Sequence, residues 1–463
     1  MGDHVGYRAR WVMAARDGGT MLLTDATVVV SGERIADILP ASSDGQPARM
    51  VELGQKLLMP GIVNAHTHCV SGPLFRGLIE DLPLRDGPGS VIDSIMLPLG
   101  EIVSEICTQE DVGAIAALGQ LEALKAGSTT LVDMPRARHE AFAEAAEQIG
   151  LRAFIHPYLM SPAEARTLEG EEAERLAQSQ IADVFGRWHR RFDGRGNGRI
   201  RIGLGPHATD TCSPALLRAI ARTRDEFGVR VVIHASQSRE EVRLISQRFG
   251  ISPIAHLDRL GLLTPDLIAA HCVYAEDSDL QLMARRGVTL VHCPLSFGRI
   301  GVMTAFARFT GQGVRTLIGS DAHALDPFAD IRLAAINSKI HTGDTARGTA
   351  QELLHAATRG AAEALGQENL GRLCKGASAD MIAISFEGAH MQPVHDPIRN
   401  LVWNGSGQDV DFVMVAGMPL VESGKYVKGD EKAIIGRGAA ALDRVFELAR
   451  ERGILPRIGA EGS

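Results

Sequence analysis

Eight short runs of β-branched and apolar residues recur through the middle of the chain, at 61–66, 129–133, 153–156, 199–207, 230–234, 267–271, 288–292 and 315–321. Each closes on a histidine or an aspartate: His66, Asp133, His156, His207, His234, His271, His292 and Asp321. Between them lie stretches with helical spacing, among them 111–126, 140–149, 215–227 and 279–286. Parallel strands buried on both faces read as continuous apolar runs. Eight of them alternating with helices predict an α/β fold, a (β/α)8 TIM barrel. The chain ends follow another rhythm: hairpin-like segments at 21–23, 26–30, 34–39 and 50–53, and again at 380–385, 409–415 and 417–421. These are expected to pair as one small discontinuous β-sandwich domain. Its segments would be residues 1–59 and 376–463, the second closing with a helix near 433–452, and residues 60–375 would form the barrel.

Barrel enzymes place their active sites at the C-terminal ends of the strands, which is where all eight polar residues fall. One strand-end histidine is readily explained as a hydrogen bond to a neighbouring loop. Eight His or Asp residues on one rim describe an active site. His66-Thr67-His68 puts two imidazoles on the same side of the first strand, because side chains alternate with period two. Imidazole nitrogen is a good ligand for zinc and its divalent neighbours.

The His-x-His follows Met59-Pro60-Gly61-Ile62-Val63-Asn64-Ala65, with histidines on strands five and six and Ser320-Asp321 on strand eight. Phe75-Arg76-Gly77, Asp81-Leu82-Pro83-Leu84, the run from Ala126 to Asp133, Gly205-Pro206-His207, Ala270-His271-Cys272-Val273 and His292-Cys293-Pro294-Leu295-Ser296 extend the pattern. So do Ala357-Thr358-Arg359-Gly360-Ala361 and the stretch from Gly371 to Asp380. Together they resemble the amidohydrolase superfamily, in its branch of cytosine and guanine deaminase-like and triazine chlorohydrolase-like enzymes. The resemblance implies a metal-dependent hydrolase of carbon–nitrogen bonds. It implies His66, His68, His234 and Asp321 as metal ligands, with Asp321 and His271 as the catalytic residues. Some members hold two metals bridged by a carboxylated lysine on strand four. Here lysines number seven against 41 arginines, and none lies between Lys125 and Lys339. One divalent ion is therefore expected, zinc first, with Fe, Mn or Co as alternatives. Three neutral imidazoles and one carboxylate leave a net positive centre, enough to bring the pKa of a bound water towards ~7.

Two departures bear on the substrate. Deaminases of this branch carry His-x-x-Glu on strand five, whereas this chain reads His234-Ala235-Ser236-Gln237. A carboxamide hydrogen-bonds but does not act as a general acid or base. Glu240 and Glu241, just beyond, are expected on the following helix, facing solvent. After strand seven the branch often has Ser-Asn, and here Ser296-Phe297 stands instead. With Tyr158, Leu74, Phe75 and Leu82 this suggests an apolar rim. The first expectation is thus hydrolysis of an amide, urea or carbamate in an apolar, xenobiotic molecule, as in the phenylurea and thiocarbamate herbicide hydrolases. The alternative is a deaminase or dechlorinase of a purine, pyrimidine or s-triazine ring. A non-catalytic barrel with a relic site would have lost a ligand, and none is missing. His207, Gln237, Phe297, Tyr158 and Phe75 are the expected substrate-binding residues. His323 is placed to line the pocket or orient Asp321, His292 to support the site, and Asp133 and His156 to tie the rim together. His139, His189, His256, His341 and His355 are expected at the surface.

Composition changes this picture little. The 463 residues carry a net charge of −8, which argues against nucleic acid as a partner. Six cysteines without any CxxC read as reduced, mostly buried thiols. The first twenty residues contain charges and no apolar core, so no secretory leader is expected, and no run approaches the ~20 residues of a membrane span. The expected setting is cytoplasmic, with a small-molecule substrate, further copies of the same chain, and neither nucleic acid nor membrane as partners.

Overall fold

The computed structural model describes residues 4–16, 19–43, 45–81 and 91–455. Its first element lies upstream of the earliest strand expected from the sequence: β1 (His4–Arg16). Arg8 and Arg10 interrupt its apolar run, yet Tyr7, Ala9, Val12 and Met13 are buried, so one face packs while the arginines look outward. It pairs antiparallel with β2 (Gly19–Ser31) and parallel with β4 (Arg49–Pro60), and β3 (Arg34–Pro40) lies at the edge. From the other end of the chain come β15 (Met381–Ser385), β16 (Val410–Val415), β17 (Met418–Glu422) and β18 (Lys425–Tyr426). All eight form one sheet in the order β18-β17-β16-β15-β4-β1-β2-β3. The sheet curls on itself. Tyr7 and Phe412 sit on strands separated by two others, and their ring centroids are 5.4 Å apart. Strands three steps apart in a flat sheet would be ~14 Å apart. The β3 edge continues the curl, with Ile35 N–H donating to the Ala377 carbonyl and Ala379 N–H to that of Glu33, both at 2.9 Å. The enclosed apolar residues include Val28, Ile35, Leu58, Met381 and Met414. Strands from both chain ends thus make one β-sandwich.

The barrel consists of two four-stranded parallel halves. The first is β5 (Ile62–Thr67), β6 (Ser128–Asp133), β7 (Arg152–Ile155) and β9 (Ile200–Ile202). The second is β11 (Val231–Ala235), β12 (Leu267–His271), β13 (Thr289–His292) and β14 (Arg315–Ile318). Bridges Leu204↔Val231 and Ala208↔His234 join the halves on one side, and Thr67↔Asp321 closes the circle on the other. Val63, Val132, Phe154, Val232, Ile268, Val291 and Leu317, from seven of the eight strands, form the apolar filling of the barrel, on the inward positions that the period of two provides. Strand four was expected as one run over 199–207, but it breaks at Gly203. The two-residue strands β8 (Tyr158–Leu159) and β10 (Gly205–Pro206) then pair at the rim. Glycine is required here: a Cβ on Gly205 would lie 2.3 Å from the His156 carbonyl oxygen.

Arg152 clamps barrel to sandwich, donating from Nε (2.6 Å) and one terminal nitrogen (3.0 Å) to the two oxygens of Asp380. The planar fork suits two parallel bonds. Helix Gln109–Lys125 begins with a capping box between Thr108 and Asp111 and packs against the closing helix Glu431–Glu451. Among the described residues no helix is long and apolar enough to cross a membrane. Five of the six thiols are buried, all six unpaired.

Candidate metal centre and active-site cavity

The closing bridge of the barrel assembles the centre. Asp321 N–H donates to the His66 carbonyl (3.0 Å) and His68 N–H to the Asp321 carbonyl (3.3 Å), so strand eight is stitched to the His-x-His. His66 and His68 therefore lie next to Asp321, with Nε2 atoms 3.6 and 3.4 Å from its Oδ1. His234 Nε2 lies 3.3 Å from that of His68, and His271 Nε2 3.9 Å from Asp321 Oδ2. One donor atom each from His66, His68 and Asp321 falls within 4.8 Å of the others, and the same holds for His66, His234 and His271.

Hydrogen bonds on the far sides of the rings fix the tautomers. His68 Nδ1 donates to the Met134 carbonyl (3.1 Å) and His234 Nδ1 to the His207 carbonyl (2.6 Å), which leaves each Nε2 lone pair facing the centre. Burial lowers the pKa of His68 to about 4 and of His271 to about 3, and holds His234 well below the usual range, with neighbouring imidazoles adding to the effect. Burial works against the charge of Asp321, but His271, His66 and His68 around it hold its carboxyl well below the ordinary value. Both ring nitrogens of His66 are buried without a hydrogen-bond partner. Imidazole nitrogens gathered around one carboxylate, with donor atoms left over at His66, fit a divalent cation. Asp321 is held from its other oxygen by the Ser296 hydroxyl, which donates to Oδ2 at 2.5 Å. His271, Cys272, Asp321 and Ser236 all adopt positive φ, at 77°, 50°, 59° and 47°. Such backbone costs non-glycine residues ~1–3 kcal/mol each, and it clusters where geometry serves a site.

A partly open cavity lies over this cluster. His68, His234, His271 and Asp321 form its floor, and Tyr158, His207, Gln237, Phe297, Phe75 and His323 line its sides. The five residues expected to bind substrate thus face one space. His207 Nδ1 is 2.8 Å from the Thr211 hydroxyl, and burial, then Arg136, lowers its pKa to about 3. Phe297 meets His271 edge-on, with centroids 4.9 Å apart. Ile79, Ile92, Met96, Leu97 and Ile300 make the outer wall apolar. Leu74 packs in the cluster behind Phe75 and is not among the residues lining this cavity; Leu82 lies outside the described residues.

Other residues differ from the sequence reading. Glu240 is exposed as expected, but Glu241 is buried, 1 % exposed, because the loop after β10 packs over the first turn of its helix, Arg239–Phe249. His256 is also buried, stacked on Phe249 with centroids 4.2 Å apart, and His139 is half-buried against Trp188. His292 is buried away from the cavity, its Nδ1 3.4 Å from the Thr304 hydroxyl. Asp133 accepts from the Cys69 N–H at 2.8 Å, and burial raises its carboxyl to about 7. Arg136, which the sequence reading passed over, lines the cavity and donates to the Leu97 carbonyl at 3.1 Å; its signal was an arginine three residues past a strand-end aspartate.

Residues 57–420 match the profile of the amidohydrolase family, and the chain belongs to that family. It is a hydrolytic enzyme acting on carbon–nitrogen bonds. The chain is 36 % identical over 404 residues to the 5'-deoxyadenosine deaminase of Methanopyrus kandleri, covering 85 % of this chain and 88 % of the relative. The crystal structure of an adenosine deaminase from Xanthomonas campestris with bound zinc superposes with a TM-score of 0.81 at 27 % identity, covering 96 % of this chain and 98 % of the other. A triazine hydrolase from Arthrobacter aurescens superposes at 0.82 with 23 % identity, covering 95 % and 99 %; this last likeness concerns the fold alone.

Proposed function

We propose that this chain hydrolytically removes the amino group from a purine-type ring, with a nucleoside as substrate class. The single observation that carries this is the similarity to a deaminase at 36 % identity over 85 % of the chain. The reading reverses the order expected from the sequence, where amide or urea cleavage stood first. Those expectations rested on Gln237 and the apolar rim, and an apolar wall also suits the flat face of a purine.

One divalent ion, zinc in our reading, would be held by His66, His68, His234 and Asp321, and would supply a strongly nucleophilic water at neutral pH. Asp321 Oδ2, steadied by the Ser296 hydroxyl, takes the proton of the attacking water and passes it to the departing nitrogen. His271 faces the same space from β12 and donates to the group on which negative charge develops. Gln237 donates a hydrogen bond from its amide to a ring nitrogen, without transferring a proton. Phe297 and Phe75 flank the ring and keep water from it.

Gln237 itself favours a second reading, cleavage of a urea or amide, whose carbonyl needs no ring protonation. A panel containing 5'-deoxyadenosine, an s-triazine, a phenylurea and an anilide separates the two. Ring deamination is expected to exceed the others in the wild type. Gln237→Glu is expected to raise it by ~10-fold or more, since a positioned general acid contributes ~100-fold or above, while urea turnover stays level. Wild-type urea or anilide turnover above ring deamination would overturn the proposal.

A further inference from the structure

We propose that Glu241 is a positioning residue of this site: its side chain ties the rim segment bearing His207 to the one bearing Gln237 and so sets where Gln237 stands against the substrate. Its role in turnover rests on the reading above. The Thr209 hydroxyl donates to Oε1 of Glu241 at 2.5 Å, and the Gln237 backbone N–H donates to Oε2 at 2.8 Å. Thr209 follows His207 on the strand-four rim, and Gln237 follows His234 on strand five; His207 and Gln237 both line the cavity. One buried carboxyl thus spans two neighbouring rim loops.

Helix capping does not account for it. Glu241 occupies the third helical position after Ser238, where a capping box would turn the side chain back to the N–H of the cap residue itself. Here Ser238 caps alone, its hydroxyl accepting from Glu241 N–H at 3.0 Å, and the Glu241 carboxyl reaches one residue further back and across to strand four. The segment it holds is under strain, since Ser236 has a φ of 47°. A second tether works from the other side, where Tyr274 N–H donates to the Ser236 carbonyl at 2.9 Å. Burial, then the nearby Asp210, raises Glu241 to about 8. A group so costly to place is poor packing material, and placement fits a residue retained for the position of its partners.

The test compares Glu241→Ala, Glu241→Gln and Thr209→Val by hydrogen exchange over the peptide containing Gln237 and by kinetics on the best substrate of the panel above. A glutamine can accept from the Gln237 N–H while donating to Thr209, so it preserves both links. Glu241→Ala is expected to speed exchange at Gln237 and to raise KM by ~5-fold or more at unchanged metal content, a loss of ~1 kcal/mol in binding; Glu241→Gln is expected to restore both. If Glu241→Ala fails to fold, Thr209→Val still removes one link and is expected to raise KM without lowering kcat. Unchanged exchange in the soluble variants refutes the tether whatever the substrate. Faster exchange with unchanged KM refutes its role in specificity, and equal defects in Ala and Gln variants show that charge, not placement, is what the site uses.

Discussion

Replacing Ser296 with alanine removes a single oxygen from the centre. That oxygen is the donor to Asp321 Oδ2, at 2.5 Å, and both residues are only 7 % exposed. The other carboxylate oxygen keeps its imidazole neighbours. The His271 Nε2 lies 3.9 Å from Oδ2, beyond hydrogen-bond reach. A hydrogen bond to a buried charged group contributes ~1.5–3 kcal/mol. At ~1.4 kcal/mol per decade, kcat/KM is expected to fall ~10- to 150-fold. The loss is expected mostly in kcat, because Oδ2 is the atom assigned to carry the proton. Ser296→Thr retains a hydroxyl and is expected to retain most of the activity. Steady-state kinetics on both variants, with metal content measured on the same preparations, decide the matter. Activity of Ser296→Ala within ~2-fold of wild type would mean that Asp321 needs no such support, and the proton path through Oδ2 would have to be given up.

His66→Ala is expected to remove most of the bound metal and nearly all turnover, measured by elemental analysis after dialysis against zinc; retention of one ion per chain would refute the ligand assignment. A pH test concerns the fold instead. Burial lowers His292 to about 3, below its unfolded value of ~6.5, so the unfolded chain takes up the proton first as pH falls. The stability that His292 contributes is whole above pH ~6.5 and is lost towards pH ~3, at ~1.4 kcal/mol per pH unit. Denaturant unfolding of His292→Asn is expected to show a shallower loss over that window; parallel curves would refute the assignment.

The barrel and the rim that carries the candidate metal ligands were legible because strands obey a period. Two histidines two apart on a buried strand share a face, and strand-end polarity marks the catalytic rim; that much marks eight strand-end residues, and only the family resemblance singles out His66, His68, His234, His271 and Asp321 among them. The substrate reading went the other way because it hung on Gln237 and Phe297, two side chains whose chemistry excludes a mechanism only if nothing else in the site supplies it. β1 stayed hidden because Arg8 and Arg10 break its apolar run, although they merely occupy its outer face.

What escaped the sequence has a common cause. Ser296 meets Asp321 across 25 residues, and Glu241 meets Thr209 across 32; no periodicity connects such pairs. Glu241 also carried a misleading local signal, since an acid in the first turn of a helix is favoured at the surface by the helix dipole, and only the loop from strand four buries it. The left-handed backbone at His271 and Asp321 is equally silent, because left-handed positions are anticipated at glycine and asparagine, and here a proposed ligand and a proposed catalytic residue occupy them. Strand periodicity decides which elements bring candidate ligands to the rim. The strained turns beyond the strands decide how those candidate ligands face one another, and it is beyond the strands, at Gln237 and Phe297, that this chain differs from the deaminase pattern it otherwise resembles.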